Sequence, residues 1–493
     1  MPRLLIATAA LVALAALATC TQRNPSFCCE TDEACAPFQS EQVPCDRGAQ
    51  LVCDNDSNTC IPGTPCSESM PCADPMVCDT ATGMCVECLA PGDCTAAEPV
   101  CENHACTLCR SDDDCMTFPD TPHCDLDGTR GCVECTGNDQ CASGVCDAGV
   151  CQRCTKDSEC SETGVCDEGT GACVAPGSIL HVALNGTGDC INAPCGHFAE
   201  ALARVNSTFR YILVAPGEYN EPPVMIGGKT VDIVGHGASV RVNGIDMSVI
   251  SVTSGDVSID GLRIFGSGGP STPAGVSCTG TSPTSRTRLT LRDATVESNA
   301  GAGVATNQCD VVIERSVIRA NAVVGLDILR SGFDVTNTFI VKNRGAASIG
   351  GVLITQPPAG ATTRFAFNTV ANNDYASSND PAGVRCVGAV STPFSSSIVY
   401  GNTSGAQQVD GTNCKWNHSL LQNVPPNTDG NIDGVPGFID PNGNNFHLAA
   451  TSPAREMADP AFPMTIDFDG DPRPLPAGQK PDCGADEVDA PLP

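Results

Sequence analysis

Three stretches written one under another decide the fold: LTLRDATVESN (residues 289–299), VVIERSVIRAN (311–321) and FDVTNTFIVKN (333–343), each starting 22 residues after the last. The same step carries Leu289 to Val311 to Phe333, Leu291 to Ile313 to Val335, Val296 to Ile318 to Ile340, and Asn299 to Asn321 to Asn343. A repeat of this length is one supersecondary unit that cannot bury its apolar face alone, so copies must stack. Short β-branched runs recur within each period, with no helical pattern of about 10–15 residues between them, which excludes βαβ units. The expectation is an all-β fold built as a parallel coil. Asn299, Asn321 and Asn343 should stack at one tight corner, each amide bonding its neighbours along the axis and satisfying backbone groups that would otherwise be unpaired. That is a structural role, so these asparagines are poor candidates for catalysis.

Outward from this stretch the pattern loosens. Asn373 and Asn402 come 30 and 29 residues on, the excess being loops inserted near 356–363 and 374–381. Upstream, residues 179–184 read as a strand and a glycine-rich loop bears Cys190 and Cys195. Phe198, Ala201, Leu202 and Val205 recur at helical spacing, so 197–206 is predicted to form a short helix over the open end of the first coil. Downstream lie Asn431-Ile432-Asp433, Phe438-Ile439-Asp440, Phe446-His447-Leu448, Ser452-Pro453-Ala454, Asp469-Gly470-Asp471-Pro472-Arg473 and Asp482-Cys483-Gly484-Ala485-Asp486-Glu487. With these segments, residues 178–487 resemble a right-handed parallel β-helix domain of the pectate-lyase-like superfamily found in secreted bacterial proteins. The resemblance implies a β-helix over 178–422 and a closing segment over 423–493. It implies no particular activity.

The first part of the chain is built differently. It holds most of the 34 cysteines, too many to persist except in an oxidising compartment. Five units of four cysteines (66/72/78/85, 88/94/101/106, 109/115/124/132, 135/141/146/151, 154/160/166/173) each open C-x5-C. Cys29, Cys35, Cys53 and Cys60 make a looser sixth, with Cys28 and Cys45 as a further pair. Units of this size have no room for a core, so disulfides must replace it. The C-x2-C spacings, such as Cys85 to Cys88, fall across unit boundaries and argue against zinc. The spacing resembles EGF-like or Dickkopf-like disulfide modules, and residues 20–177 read as an acidic, disulfide-stapled stalk. In the rest of the chain Cys190–Cys195, Cys278–Cys309 and Cys386–Cys414 are the expected pairs, leaving Cys483 single.

Residues 1–19 read as a signal peptide, with Arg3 before an apolar run too short to span a bilayer. Leu17-Ala18-Thr19-Cys20 resembles a bacterial lipobox, although Thr19 departs from its usual small residue; Cys20 would then be lipidated as the mature N-terminus. The protein is accordingly expected outside the cytoplasm, as a surface or outer-membrane lipoprotein or in secreted form, touching membrane only through that anchor. The net charge of −31 argues against nucleic acid.

Candidate chemistry is sparse. Gly235-His236-Gly237 is similar to a polygalacturonase-type motif, but its aspartate and Arg-x-Lys partners are missing, so an exposed turn is expected. Glu297 and Arg319 share a column that Val341 interrupts, and Arg292 and Glu314 fall on successive coils as an outward ion pair. Asp429, Asn431, Asp433 and Asp440 fit a calcium-loop spacing without flanking helices, and Asp467, Asp469 and Asp471 form a second acidic cluster. Arg473 is expected to pair with Asp482 or Glu487. Calcium is the one cofactor these spacings would suit; none other is implied. The sequence favours a non-catalytic surface protein whose β-helix binds polysaccharide or cell-surface glycan. The alternatives are a polysaccharide lyase or glycoside hydrolase acting on acidic glycans, and a cysteine array that binds while the β-helix serves as spacer. Recognition is expected on the loops after Gly266, Ile354 and Asn373.

Overall fold

A computed structural model describes residues 66–489 apart from 68–70, 242–245, 270, 281–286, 346–348, 375–380, 389–393, 404–406, 410–412, 424–428 and 463, together with the backbone of 51–54 and 59–62. The signal segment, Cys20, Cys28, Cys29, Cys35 and Cys45 lie outside the described residues. The chain divides into two compact units, Met1–Cys173 and Val174–Pro493.

In the first unit each four-cysteine repeat folds the same way. A 3₁₀ turn lies between the first two cysteines of each unit from Cys88 onward, residues 68–70 of the first unit lying outside the described ones, and the last two cysteines face each other across a two-stranded hairpin, as Cys101 faces Cys106. The bonds join first to third and second to fourth: Cys66–Cys78 and Cys72–Cys85, then Cys88–Cys101 and Cys94–Cys106, and so on to Cys154–Cys166 and Cys160–Cys173. Cys85 and Cys88 therefore belong to different disulfides, and neither thiol is available to a metal. The acidic residues have work inside the modules. Asp114 and Glu159 accept the backbone N–H groups that open their 3₁₀ turns, and Asp112 and Asp157 accept the N–H of the third cysteine, at 2.8 and 2.7 Å. Side chains cap here what a larger domain would satisfy by secondary structure.

The second unit is a parallel β-solenoid. Its strands fall into three sheets in which each strand pairs with the next coil's equivalent. The first sheet runs from Ile179–Val182 to Trp416–Asn417, the second from Gly217–Asn220 to Leu420–Leu421, and the third from Val224–Ile226 to Val384–Val387. The 22-residue step is the register itself: Leu289 pairs with Val311 and Val311 with Phe333, all buried. The coil extends past residue 422, because Ile432 pairs in parallel with Leu420. The helix spans Phe198–Arg204 and buries Phe198, Ala201 and Leu202 beside the Cys190–Cys195 disulfide. Cys278, on a third-sheet strand, is bonded to Cys309 at the start of the first-sheet strand Cys309–Glu314. Cys386, also on the third sheet, is bonded to Cys414, two residues before the first-sheet strand Trp416–Asn417. Cys483 is free and buried, its Sγ 2.8 Å from the His418 carbonyl oxygen.

Candidate functional site

The corners of the coil claim several of the candidate residues. At the turn from second to third sheet, Asn299 Nδ2 donates to Asn321 Oδ1, Asn321 to Asn343, Asn343 to Asn373 and Asn373 to Asn402, each at 2.9 Å. The other amide proton of each of the later four goes to a backbone carbonyl: Val296, Ile318, Ile340 and Val370. Gln408 ends the ladder, its Oε1 accepting from Asn402. A second ladder, unread in the sequence because its residues differ, runs along the corner from first to second sheet. The Ala294 N–H donates to Ser316 Oγ, Thr338 N–H to Asn368 Oδ1, Asn368 N–H to Ser397 Oγ, and Ser397 N–H to Ser419 Oγ. Its last member is Asn431, whose Oδ1 accepts the Ser419 N–H and whose Nδ2 donates to the Trp416 carbonyl.

That placement overrides the calcium-loop reading. Asn431 is buried in the coil, and its amide is committed there. Asp433 accepts the Asn423 N–H, and Asp440 closes a hairpin turn by accepting the Gly443 N–H. The spacing of Asp429, Asn431, Asp433 and Asp440 thus reflects the last coil and a turn. In the other acidic cluster, Asp467 accepts three backbone N–H groups, from Asp469, Asp471 and Glu487, while Asp469 pairs with His447 Nε2 at 2.9 Å. His447 Nδ1 lies 2.7 Å from Asn445 Oδ1, so both ring nitrogens are engaged, and the Asp469 bond holds its pKa above the ordinary value. It has no free nitrogen with which to act as a base. His236 lies in an exposed turn.

The three outer faces differ sharply. On the first, Arg210 pairs with Asp232 (2.7 Å), Arg292 with Glu314 (3.4 Å), Arg315 with Asp293 and Glu314 (3.0 and 2.8 Å), and Arg364 with Asp334 (2.6 Å). On the second, Glu297 is held between Arg319 Nε and Arg263 Nε. Burial alone would raise the Glu297 carboxyl, but those two hydrogen bonds outweigh it and bring it below the usual glutamate range. Arg263, 34 residues upstream, supplies the third charge that Val341 fails to give. Val341 is apolar for a different reason. With Phe339 and Ala371 it is buried beneath Phe446 and Ala485 of the closing segment. Arg473 fastens that segment through Glu487 (3.0 Å) and the carbonyls of Asp482 and Gly484, with its guanidinium over the Phe367 ring.

The third face is neither covered by that segment nor crossed by ion pairs between described residues. Its outward positions are mostly small, hydroxyl-bearing or aliphatic: Ser251, Ser277, Ala305, Asp327, Leu353 and then Arg385 in one column, Thr279, Asn307, Leu329, Thr355 and Val387 in the next. Ser277 Oγ donates to Ser251 Oγ at 3.0 Å. The turns bordering it are shorter at Val304–Asn307 and Leu326–Leu329 than at the strands on either side, Val276–Thr279 and Val352–Thr355. Six residues lead into each of these strands, against ten before Val276–Thr279, ten before Val352–Thr355 and twelve before Val384–Val387. One residue and three residues lead out of them, against seven after Val276–Thr279 and after Val352–Thr355. Ala305 and Asp327 therefore lie between coils whose connections are longer in sequence. Asp327 is half-buried, makes no hydrogen bond or ion pair through its carboxylate among the described residues, and has its pKa raised by burial. Nothing in the 22-residue pattern marks it, since only its lack of partners distinguishes it.

No family model matches the chain, and no curated protein matches it. Among solved structures, a crystal structure of a pectate lyase (Pel9A) aligns with 63% of this chain and 96% of its own, at 14% identity and a TM-score of 0.36.

Proposed function

We propose that the solenoid is a non-catalytic glycan-binding unit, exported and displayed outside the cytoplasm behind the disulfide array, and that its third face carries the binding. The observation that supports this reading is the contrast between faces. Two carry columns of ion pairs or are buried under the closing segment, although Asp256 and Arg288 of the first stand exposed, while the third presents mainly hydroxyls, an amide and aliphatic carbons with one carboxylate, Asp327, and one arginine, Arg385. Such a mixture suits the hydroxyl edges and C–H faces of sugars. Glycosidase chemistry in its common form needs two carboxylates flanking the bond, and Asp327 is the single carboxylate among the described outward positions of that face. Anchoring through a lipidated Cys20 belongs to the same proposal, and mass spectrometry of the mature N-terminus tests it.

The function is tested with the full chain on a panel of neutral and uronate-rich polysaccharides, with and without calcium. The expected result is co-sedimentation with a polysaccharide, without new reducing ends or ultraviolet-absorbing unsaturated products. Turnover of any member would replace the binding reading with the lyase or hydrolase one.

A further inference from the structure

Glu297 faces outward on the second sheet, yet its side chain is only 8% exposed, because Arg263 and Arg319 from the adjoining strands reach over it. The arginines themselves stay open, with side chains 43% and 33% exposed. Arg263 Nε donates to Glu297 Oε1 and Arg319 Nε to Oε2, the second at 2.6 Å. Both bonds are made by Nε, and no Nη group of either arginine donates a hydrogen bond among the described residues. The first face differs. There Arg210 and Arg315 each spend Nε and an Nη together on one carboxylate, and Arg364 bonds through Nε alone to an aspartate it does not share. Arg263 is fixed further by lying over the Phe265 ring, its guanidinium carbon 4.1 Å from the centroid. Thr295 stands beside Arg263 in the same column, half-buried, its hydroxyl without a hydrogen bond among the described residues. Arg241, next to Phe265, adds a third cation, shared with Glu218 at 3.2 Å. Two guanidiniums on one carboxylate leave an excess of positive charge, on a chain whose net charge is −31.

We propose that Arg263 and Arg319, oriented by Glu297, form a clamp for a sulfate or phosphate ester group of a polysaccharide, with the Thr295 hydroxyl as a further donor. A carboxylate offers two oxygens, and the fork of one arginine occupies both. Two forks fixed over one point have donors to spare and suit an anion with three free oxygens. Glu297 is a positioning residue here. Its hydrogen bonds to the two Nε groups hold it ionised despite burial, and those same bonds aim the Nη groups outward. The clamp lies on the open coils of the second face, before the Phe339 and Val341 that the closing segment buries. It does not rest on the third-face reading.

The test uses the full-length protein and titration calorimetry with dextran, dextran sulfate, dextran phosphate and polygalacturonate, at about 0.15 M salt so that long-range attraction is screened. At least one ester polymer should bind tenfold or more tightly than both dextran and polygalacturonate, and the tighter of the two tells sulfate from phosphate. Arg263→Ala and Arg319→Ala should each weaken that binding at least tenfold. Arg319→Lys, which keeps the charge and loses the fork, should still weaken it at least threefold, and Arg364→Ala should leave it within twofold. Glu297→Gln makes the face more positive, yet it should narrow the preference for ester over carboxylate at least threefold, because the forks lose their common anchor. Circular dichroism melts confirm folding, and Arg263→Lys and Arg319→Lys carry the test where an alanine variant does not fold. Polygalacturonate bound as tightly as the ester polymers, unchanged affinity in both arginine variants, or no binding of either ester polymer overturns the clamp. None of these outcomes touches the third-face reading, which binding of neutral polysaccharide decides, so the two fail separately.

Discussion

At the scale of single residues, polar side chains in this solenoid do one of two jobs, and burial separates them. Asn343 is fully buried. Its Oδ1 accepts from Asn321 Nδ2 and from the Asn321 N–H, and its Nδ2 donates to Ile318 O and Asn373 Oδ1. Asn343→Ala would orphan groups on both neighbouring coils. At about 1–3 kcal/mol for each buried group left unsatisfied, a loss of roughly 2–4 kcal/mol is expected. Urea unfolding would measure it, and hydrogen exchange should show the Asn321 amide losing protection first. An effect below about 0.5 kcal/mol would mean that water replaces the ladder freely. Ser277 and Thr355 face outward instead, and their replacement should be felt in binding rather than in stability.

At the scale of elements, the closing segment is a separate problem of charge burial. Asp467, Asp482, Asp486 and Glu487 are all buried where it meets the second sheet. Burial pushes Asp486 up to about 6, against the Leu448 N–H bond that favours its ionised form, and pushes Glu487 up to about 7, with Arg473 opposing. A carboxyl whose folded pKa lies above its unfolded value holds its proton longer in the folded state. The unfolded chain then binds fewer protons, and stability falls as pH rises. For Asp486 the window runs from its ordinary value of 3.8 to about 6. The melting temperature of the solenoid should be lower at about pH 6.5 than at about pH 4.5, by roughly 2–4 °C for each kcal/mol involved. Asp486→Asn, which keeps an oxygen for the Leu448 N–H, should flatten that slope. A wild-type slope of opposite sign, or one indifferent to the substitution, would show the acidic cluster to be ionised and well solvated.

At the scale of the whole molecule, two units reach stability by different routes. The array up to Cys173 has small cores of buried cysteines, such as Cys109, Cys115, Cys124 and Cys132. The solenoid has one continuous apolar core running from Leu180 to Leu421. Removing native disulfides from small domains costs about 2–5 kcal/mol each, whereas the Cys190–Cys195, Cys278–Cys309 and Cys386–Cys414 bonds are buried inside the stacked core, out of reach of mild reductant. Mild reduction and then limited proteolysis should therefore digest the array and leave a fragment beginning near Val174. Simultaneous loss of both units would show that the solenoid depends on its own Cys190–Cys195, Cys278–Cys309 or Cys386–Cys414 bonds more than its core implies.

The coil was legible because inward positions are fixed by local repetition. Leu289, Val311 and Phe333 meet one another, so the 22-residue step had to be written into the chain. The four-cysteine units were legible for the same reason, although their first-to-third, second-to-fourth connectivity was not, since spacing alone allows other pairings. The outward positions obeyed another logic. Val341 and Asn431 looked like a broken charge column and a cation ligand, yet one is covered by Phe446 and Ala485 and the other caps a corner ladder. The partners that decide this lie far along the chain, as in the bond from Asn337 to the Ile466 carbonyl across 129 residues. The sequence by itself therefore determined the coil and its polar corners, where each residue meets its own repeat. Only the tertiary structure decided which face stays open and leaves Asp327 without a partner among the described residues, because covering a surface is a contact between segments that share no repeat.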